Sequence, residues 1–212
     1  MSLNQVGKHI VRHGDMMSFD ITELTNRKVN FIYSDPPWGE GNLKYWQTMN
    51  QKMNSVEPKE VQFQGFVNKF FHICDQALTD DGVVFMEYGP RWREDVMFYA
   101  KTFGFHMLRL YQPKYKAGSK MLPLDLFVFI RRGKLVDIEL PDLELVNSSY
   151  GYSTLERVFH TMVTRPDMAL LDPCCGMGYS AKLAMSRQMT FFGNELNEKR
   201  LAKTIDRLRK DV

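Results

Sequence analysis

Apolar runs too short to be helices alternate with stretches of helical periodicity along most of this chain, and that alternation restricts the fold more than any other feature. Val29–Ser34 (VNFIYS) is followed by Val61–Leu78, which carries Phe63, Phe66, Val67, Phe70, Ile73, Cys74 and Ala77 at helical spacing. Val83–Tyr88 is followed by a helical stretch from Glu94 to Phe103 that Gly104 closes. Ala169–Leu171 leads into a helix from Tyr179, and Thr190–Gly193 into a closing helix with Leu201, Ile205 and Leu208 on one face and Lys and Arg on the other. A strand that is apolar throughout must be covered on both faces, and the helices between strands supply the cover. The pattern therefore predicts an α/β fold: a mostly parallel sheet with helices on both faces. Phe105–Tyr111 and Leu126–Arg131 read as a last strand pair around a basic loop, Lys114–Lys120, and Thr154–Val163 as a further helix. The first 26 residues read as loop and short elements, Asp80-Asp81-Gly82 as a turn, and 133–147 as an acidic, proline-broken connection.

Length and composition narrow the class. With 212 residues and 44% apolar content, the chain can bury one full α/β core, and a second independent domain would be cramped, so 1–212 reads as a single domain. A formal charge of +3 permits a nucleic-acid partner without demanding one. The three cysteines, Cys74, Cys174 and Cys175, are odd in number and lack CxxC spacing, which argues against a disulfide framework and against a metal site, and points to a reducing, cytoplasmic compartment. No secretory signal pattern or membrane span is legible.

Two strand ends carry the chemistry. In the first, Asp172-Pro173-Cys174-Cys175-Gly176-Met177-Gly178 joins a short strand to a helix, and a second strand ends at Glu195, about twenty residues on, the layout of a nucleotide-cofactor site. Glycines allow close backbone approach, and the distal acid accepts hydrogen bonds from ribose hydroxyls. A tight strand-to-helix turn with a solvated Glu195 would share this sequence. Asp172 ahead of the glycines suits a cationic ligand, such as the sulfonium and ammonium end of S-adenosylmethionine, and would repel a pyrophosphate.

The second strand end is Asp35-Pro36-Pro37-Trp38. Two prolines cannot continue a ladder, so the acid sits at the C-terminal end of a strand. An exocyclic amine on a base is a poor nucleophile because its lone pair is delocalised into the ring. A carboxylate and a backbone carbonyl that both accept from the amine free that lone pair, and Trp38 offers a stacking face for an extruded base. The alternative is a Pro-Pro turn with an exposed Asp and a half-buried Trp.

Together these segments resemble the β-order S-adenosylmethionine-dependent amino-methyltransferases, in which a DPPY or DPPW motif precedes the cofactor motif. Leu170–Gly178 resembles their LDPFCGSG motif, Gly193-Asn194-Glu195 the segment with the ribose-holding acid, and His13-Gly14-Asp15 the GD whose Asp contacts the cofactor's adenine. Leu124–Gly133 resembles the strand that ends the catalytic half, and DPPW is similar to the MT-A70 group, which acts mainly on RNA. The resemblance covers nearly the whole chain. It implies a Rossmann-like methyltransferase fold of the seven-stranded type in permuted order, with a catalytic half over about 10–133 and a cofactor half over about 148–212. It also implies S-adenosylmethionine as cofactor, held by Asp15, Asp172, Pro173, Cys174, Gly176, Gly178 and Glu195, and in-line methyl transfer at Asp35, Pro36, Pro37 and Trp38, with Tyr45 or Trp46 helping to hold the base. The expected product is N6-methyladenine in DNA. N4-cytosine, an RNA adenine, or a catalytically silent nucleic-acid-binding subunit are the alternatives, and a homodimer or a partner subunit is open.

Two departures matter. Where the family has a Lys-Pro pair, this chain has Tyr150-Gly151, so Ser153 and Thr154 are left to cap the next helix and touch the cofactor carboxylate. No separate target-recognition domain is evident. The segments available for that role are Lys114–Lys120 and Gly39–Pro58, a polar stretch read as a long loop or short mobile helix able to close over the base. The five histidines share no spacing and read as structural or surface residues. Arg91-Trp92-Arg93 is a candidate phosphate contact, and the basic face of the closing helix reads as solvated.

Overall fold

The computed structural model describes residues 2–53, 62–134 and 138–210. In chain order the elements are β1 (Ser2–Val6), β2 (His9–His13), β3 (Val29–Ser34), α1 (Gly39–Met53), α2 (Phe63–Ala77), β4 (Leu78–Tyr88), α3 (Arg93–Thr102), β5 (Phe105–Tyr111), β6 (Lys114–Ala117), β7 (Lys120–Pro123), β8 (Asp125–Arg131), α4 (Leu143–Asn147), α5 (Tyr152–His160), β9 (Ala169–Asp172), α6 (Tyr179–Ser186), β10 (Thr190–Glu195) and α7 (Glu198–Arg209). Among the described residues, eight strands form one sheet in the order β1-β2-β10-β9-β3-β4-β8-β5. The run from β2 to β4 is parallel, β8 lies antiparallel between β4 and β5, and β1 is antiparallel on the opposite edge. This is the α/β class the alternation predicts, with one more strand than the seven-stranded expectation.

The period of two along the strands sorts side chains into two cores. In β8, Phe127 and Phe129 pack with α2 and α3, while Leu126, Val128 and Ile130 join α5, α6 and α7 on the other face. Phe127 and Phe129 stack at 5.4 Å, and each fully buried aromatic contributes roughly 1.5–3 kcal/mol. From β3 the chain winds outward through β4, and from β9 it winds the other way through β10. Chain order therefore reverses between β3 and β9, and a crevice opens beyond their C-terminal ends.

Several boundaries differ from the sequence reading. The N-terminal stretch builds two strands of the sheet, because the polar residues that disguise β2 are satisfied inside. His9 Nδ1 accepts from the Phe191 amide at 3.0 Å, His13 Nε2 lies 3.0 Å from the Leu196 carbonyl, and Arg12 is fully buried among partners. Gly39–Met53 is a helix of just over four turns, the second of the two readings and longer than expected; residues 54–61, the end of that predicted segment and the predicted start of the next helix at Val61, lie outside the described residues. Asp80-Asp81-Gly82, predicted as a turn, runs as strand within β4, where the register against β3 jumps from Val29↔Leu78 to Phe31↔Val83. The basic Lys114–Lys120 loop is a hairpin, β6 with β7, and the 133–147 connection ends in the short α4. The Thr154–Val163 helix starts and ends earlier, as α5. The two halves also interleave in space: β2, from the first half, pairs with β10, from the second.

Candidate functional site

Parallel strands deliver side chains to one edge of the sheet, and here four of them end at a single cavity of about 690 Å³. Asp15 follows β2, Asp35 through Trp38 follow β3, Asp172 through Gly176 follow β9, and Glu195 ends β10; all line the cavity. Its size lies within the roughly 300–1,000 Å³ usual for small-molecule sites.

The β9 and β10 side is densely hydrogen-bonded. Asp172 Oδ1 accepts from Ser34 Oγ and the Cys174 amide, both at 3.0 Å, and Oδ2 from Ser180 Oγ at 2.6 Å. Burial pushes its carboxyl up to about 7, opposed by those three donors. Glu195 accepts from the Gly176 amide at 2.8 Å and the Asn197 amide at 2.7 Å, tying the glycine turn to the start of α7. Its carboxyl is raised, first by burial. Asn194 donates to the Gly14 and Pro173 carbonyls and accepts from Arg12, whose Nε also pairs with Glu23 at 2.6 Å. Arg12 thus fastens the turn bearing Asp15 to β10. Asp15 caps a 3-10 turn by accepting from the Met17 amide at 2.9 Å.

The β3 side is looser. Asp35 faces the cleft and accepts from Trp38 Nε1 at 2.9 Å. The protein crowded around this cleft-facing carboxyl desolvates it and lifts it to about 6, against the pull of Trp38 and Arg200. Tyr88 Oη accepts from the Gly39 amide at 2.9 Å and donates to the Pro37 carbonyl at 3.2 Å, bracing the turn. Gly39 has φ +61, and a Cβ there would fall 2.2 Å from the Trp92 ring. Beside Asp35, level with it through the β3–β4 register, the buried Glu87 is raised to about 8, mainly by desolvation and then by Asp35. Tyr33, which lines the cavity, acts against that rise in Glu87.

Ten of the predicted residues meet here: Asp15, Asp35, Pro36, Pro37, Trp38, Asp172, Pro173, Cys174, Gly176 and Glu195. Two do not line the cavity. Gly178 (φ +79) faces α7, where a Cβ would lie 2.8 Å from Thr204 Oγ1, so its glycine serves helix packing. Ser153 bonds back to the Tyr150 carbonyl at 2.7 Å, and Gly151 supplies the cap position of α5 without a side chain. Of the two aromatics on α1, Trp46 lines the cavity and Tyr45 does not. Arg93 is held by Asp125 at 2.7 and 2.9 Å, and Arg91 lies over Trp92.

Further residues line the cavity. Tyr115 and Lys116, within the Lys114–Lys120 segment singled out for target recognition though not named individually, reach the site from the β6–β7 hairpin, with Tyr115 edge-on to Trp38 at 4.8 Å. Arg200, which sequence reasoning missed, comes from α7 and lies 3.8 Å from the Trp46 ring centroid. Asn50 accepts from Asn197 Nδ2 at 3.1 Å, so α1 docks across the cofactor-side loop. The spacing of Tyr115 within a run of lysines was the available signal.

The sequence matches no protein-family model and no curated protein. The fold, by contrast, matches 98 chains of solved structures. M1.HpyAVI shares it at TM-score 0.64 with 14% identity, over 93% of this chain and 97% of that one, and its complex with SAM scores 0.66. PvuII DNA methyltransferase (cytosine-N4-specific) scores 0.61 with 12% identity, over 93% of this chain and 85% of that one. TTHA0409 of Thermus thermophilus, complexed with S-adenosyl-L-methionine, scores 0.59 with 14% identity, over 96% of this chain and 94% of that one. At these identities the likeness is one of fold.

Proposed function

We propose that this chain is a methyltransferase that uses S-adenosylmethionine to methylate the exocyclic amine of a nucleic-acid base, N6 of adenine in DNA. The observation that carries the reading is the convergence of the Asp35–Trp38 turn and three acidic strand ends, Asp15, Asp172 and Glu195, on one cavity at the switch point of the sheet. The acids fit the group: carboxylates suit the sulfonium and ammonium charges, and Glu195, holding two backbone amides, keeps lone pairs for ribose hydroxyls. Bound S-adenosylmethionine supplies an electrophilic methyl group. Solved structures of the same fold hold that cofactor, which supports the choice.

The remaining work falls to the β3 turn. Asp35 and the Pro36 carbonyl accept hydrogen bonds from the amine and turn its lone pair toward the donor. Ionised, Asp35 is the stronger acceptor and has no O–H to compete with the amine, so methylation rises as pH passes about 6. Trp38 and Tyr115, edge to face at the cleft mouth, part to hold the extruded base. Asp35, rather than a serine, favours adenine; the cytosine-N4 enzyme among the fold's relatives keeps N4 of cytosine as the rival. The test is incubation with labelled donor and a panel of DNA and RNA, followed by digestion to nucleosides. Labelled N6-methyladenine from DNA is expected. Label in N4-methylcytosine or only in RNA corrects the substrate, and no label in any nucleoside overturns the reading.

A further inference from the structure

Helix α7 carries Arg200, Lys203 and Arg207 at positions i, i+3 and i+7, one face of the helix. Each lies against a polarisable group. Arg200 is 3.8 Å from the Trp46 ring centroid, Lys203 Nζ is 3.9 Å from Met177 Sδ, and Arg207 is 4.9 Å from the Tyr179 ring centroid. The row continues onto the neighbouring helices: Tyr179 meets Tyr152 at 6.1 Å, and Lys182 Nζ sits 4.1 Å from the Tyr152 centroid. Among the described residues none of these four cations forms an ion pair within 4 Å; Asp206, on the same helix, reaches Arg209 instead.

The row has a direction. Arg200, Met177 and Tyr179 line the cavity, so it begins at the cleft mouth and leads away over α7 and α6. Tyr179 is 44% exposed and Met177 37%, and Lys182 and Lys203 are exposed. A merely solvated basic face has no reason to alternate with rings and a thioether beside a cleft. Cations on adjacent turns stand about 5–6 Å apart at Cβ, close to the stride of one nucleotide. Positive charge interleaved with ring faces is the pairing that binds a strand through phosphates and unstacked bases.

We propose that this row is a track for the sugar–phosphate backbone of the strand that carries the target base, with phosphates on Arg200, Lys203, Arg207 and Lys182 and flanking bases on Tyr179 and Tyr152. This rests on the nucleic-acid reading above and adds the path of the strand, over the cofactor side of the cleft. The test measures binding of a short fluorescein-labelled single-stranded DNA by anisotropy across a salt series. The variants are Lys203→Glu/Arg207→Glu and, as a control of equal charge change on the far edge of the sheet, Lys101→Glu/Arg132→Glu. The track variant should bind at least about tenfold more weakly, and its salt slope should fall by about 1.4, two contacts at about 0.7 each. The control should change neither, and thermal stabilisation by S-adenosylmethionine should persist in both. Equal losses in the two variants, or none in the track variant, would overturn the track while leaving the methyltransferase reading in place. A wild-type protein that is stabilised by the cofactor yet binds no nucleic acid would overturn both.

Discussion

The two walls of the cleft are built on different principles. On the β9 and β10 wall the carboxylates are fixed before any ligand arrives: Asp172 has three donors, Glu195 has two, and buried Arg12 and Asn194 lock the adjoining turns. On the β3 wall, among the described residues, Asp35 has a single donor, the indole of Trp38, and opens to the cleft. A wall that meets the same small molecule in every turnover gains from rigidity, whereas one that meets an extruded base must leave bonds for the substrate to complete. The contrast teaches where mutations should damage structure and where they should damage chemistry.

The largest expected effect on stability lies behind the rigid wall. Arg12→Ala removes a fully buried cation from Asn194 and Glu23; because Glu23 can turn to water, the loss should be about 3 kcal/mol, the lower end for a broken buried pair. A lower Tm and weaker cofactor binding together would bear this out; an unchanged Tm would show that the turn holds itself. Trp38→Ala should leave the fold alone and weaken binding of the base by roughly 1–3 kcal/mol, the usual worth of one stacked base, read in titrations with short oligonucleotides. Glu195→Ala should weaken S-adenosylmethionine by about tenfold, since it removes a ribose acceptor and loosens the Gly176 turn.

A further expectation concerns pH dependence. The buried Asp172 and Glu87 are raised to about 7 and about 8, so the folded protein holds protons that the unfolded chain has released. The stability these groups contribute is fully present below the ordinary carboxylate range and is lost as pH climbs through those values. The Tm of the free protein should therefore fall between about pH 5 and pH 8. Glu87→Gln should flatten the upper part of that decline, and a Tm that rose with pH instead would place the charges wrongly.

The same contrast decided what was legible in the sequence. Strand ends marked by Pro or Gly announce themselves, because few residues tolerate those backbones; hence Asp35–Trp38, Asp172–Gly176 and Glu195 could be read and brought to one edge of a parallel sheet. Residues that reach the cleft from elsewhere left no such mark. Arg200 looks like any basic helix residue until Trp46 is set against it, and β2 looks like a loop because its polar residues find partners only across the sheet. Gly178 was legible as a necessary glycine, but its reason, the close approach of Thr204, lies in a helix 26 residues further on. The helix of Gly39–Met53 was obscured by its low apolar content; it is held by Leu43, Asn50 and Trp46 against the site.

The most direct test of the two-wall account takes one preparation of Asp35→Ala and measures both S-adenosylmethionine affinity and the single-turnover rate of methyl transfer to the oligonucleotide that the wild type modifies. The account predicts a Kd close to that of the wild type and a rate lower by about a hundredfold to a thousandfold, the loss expected for one positioned group that acts in the transition state. A rate near that of the wild type, or a loss of cofactor affinity as large as the loss of rate, would contradict it.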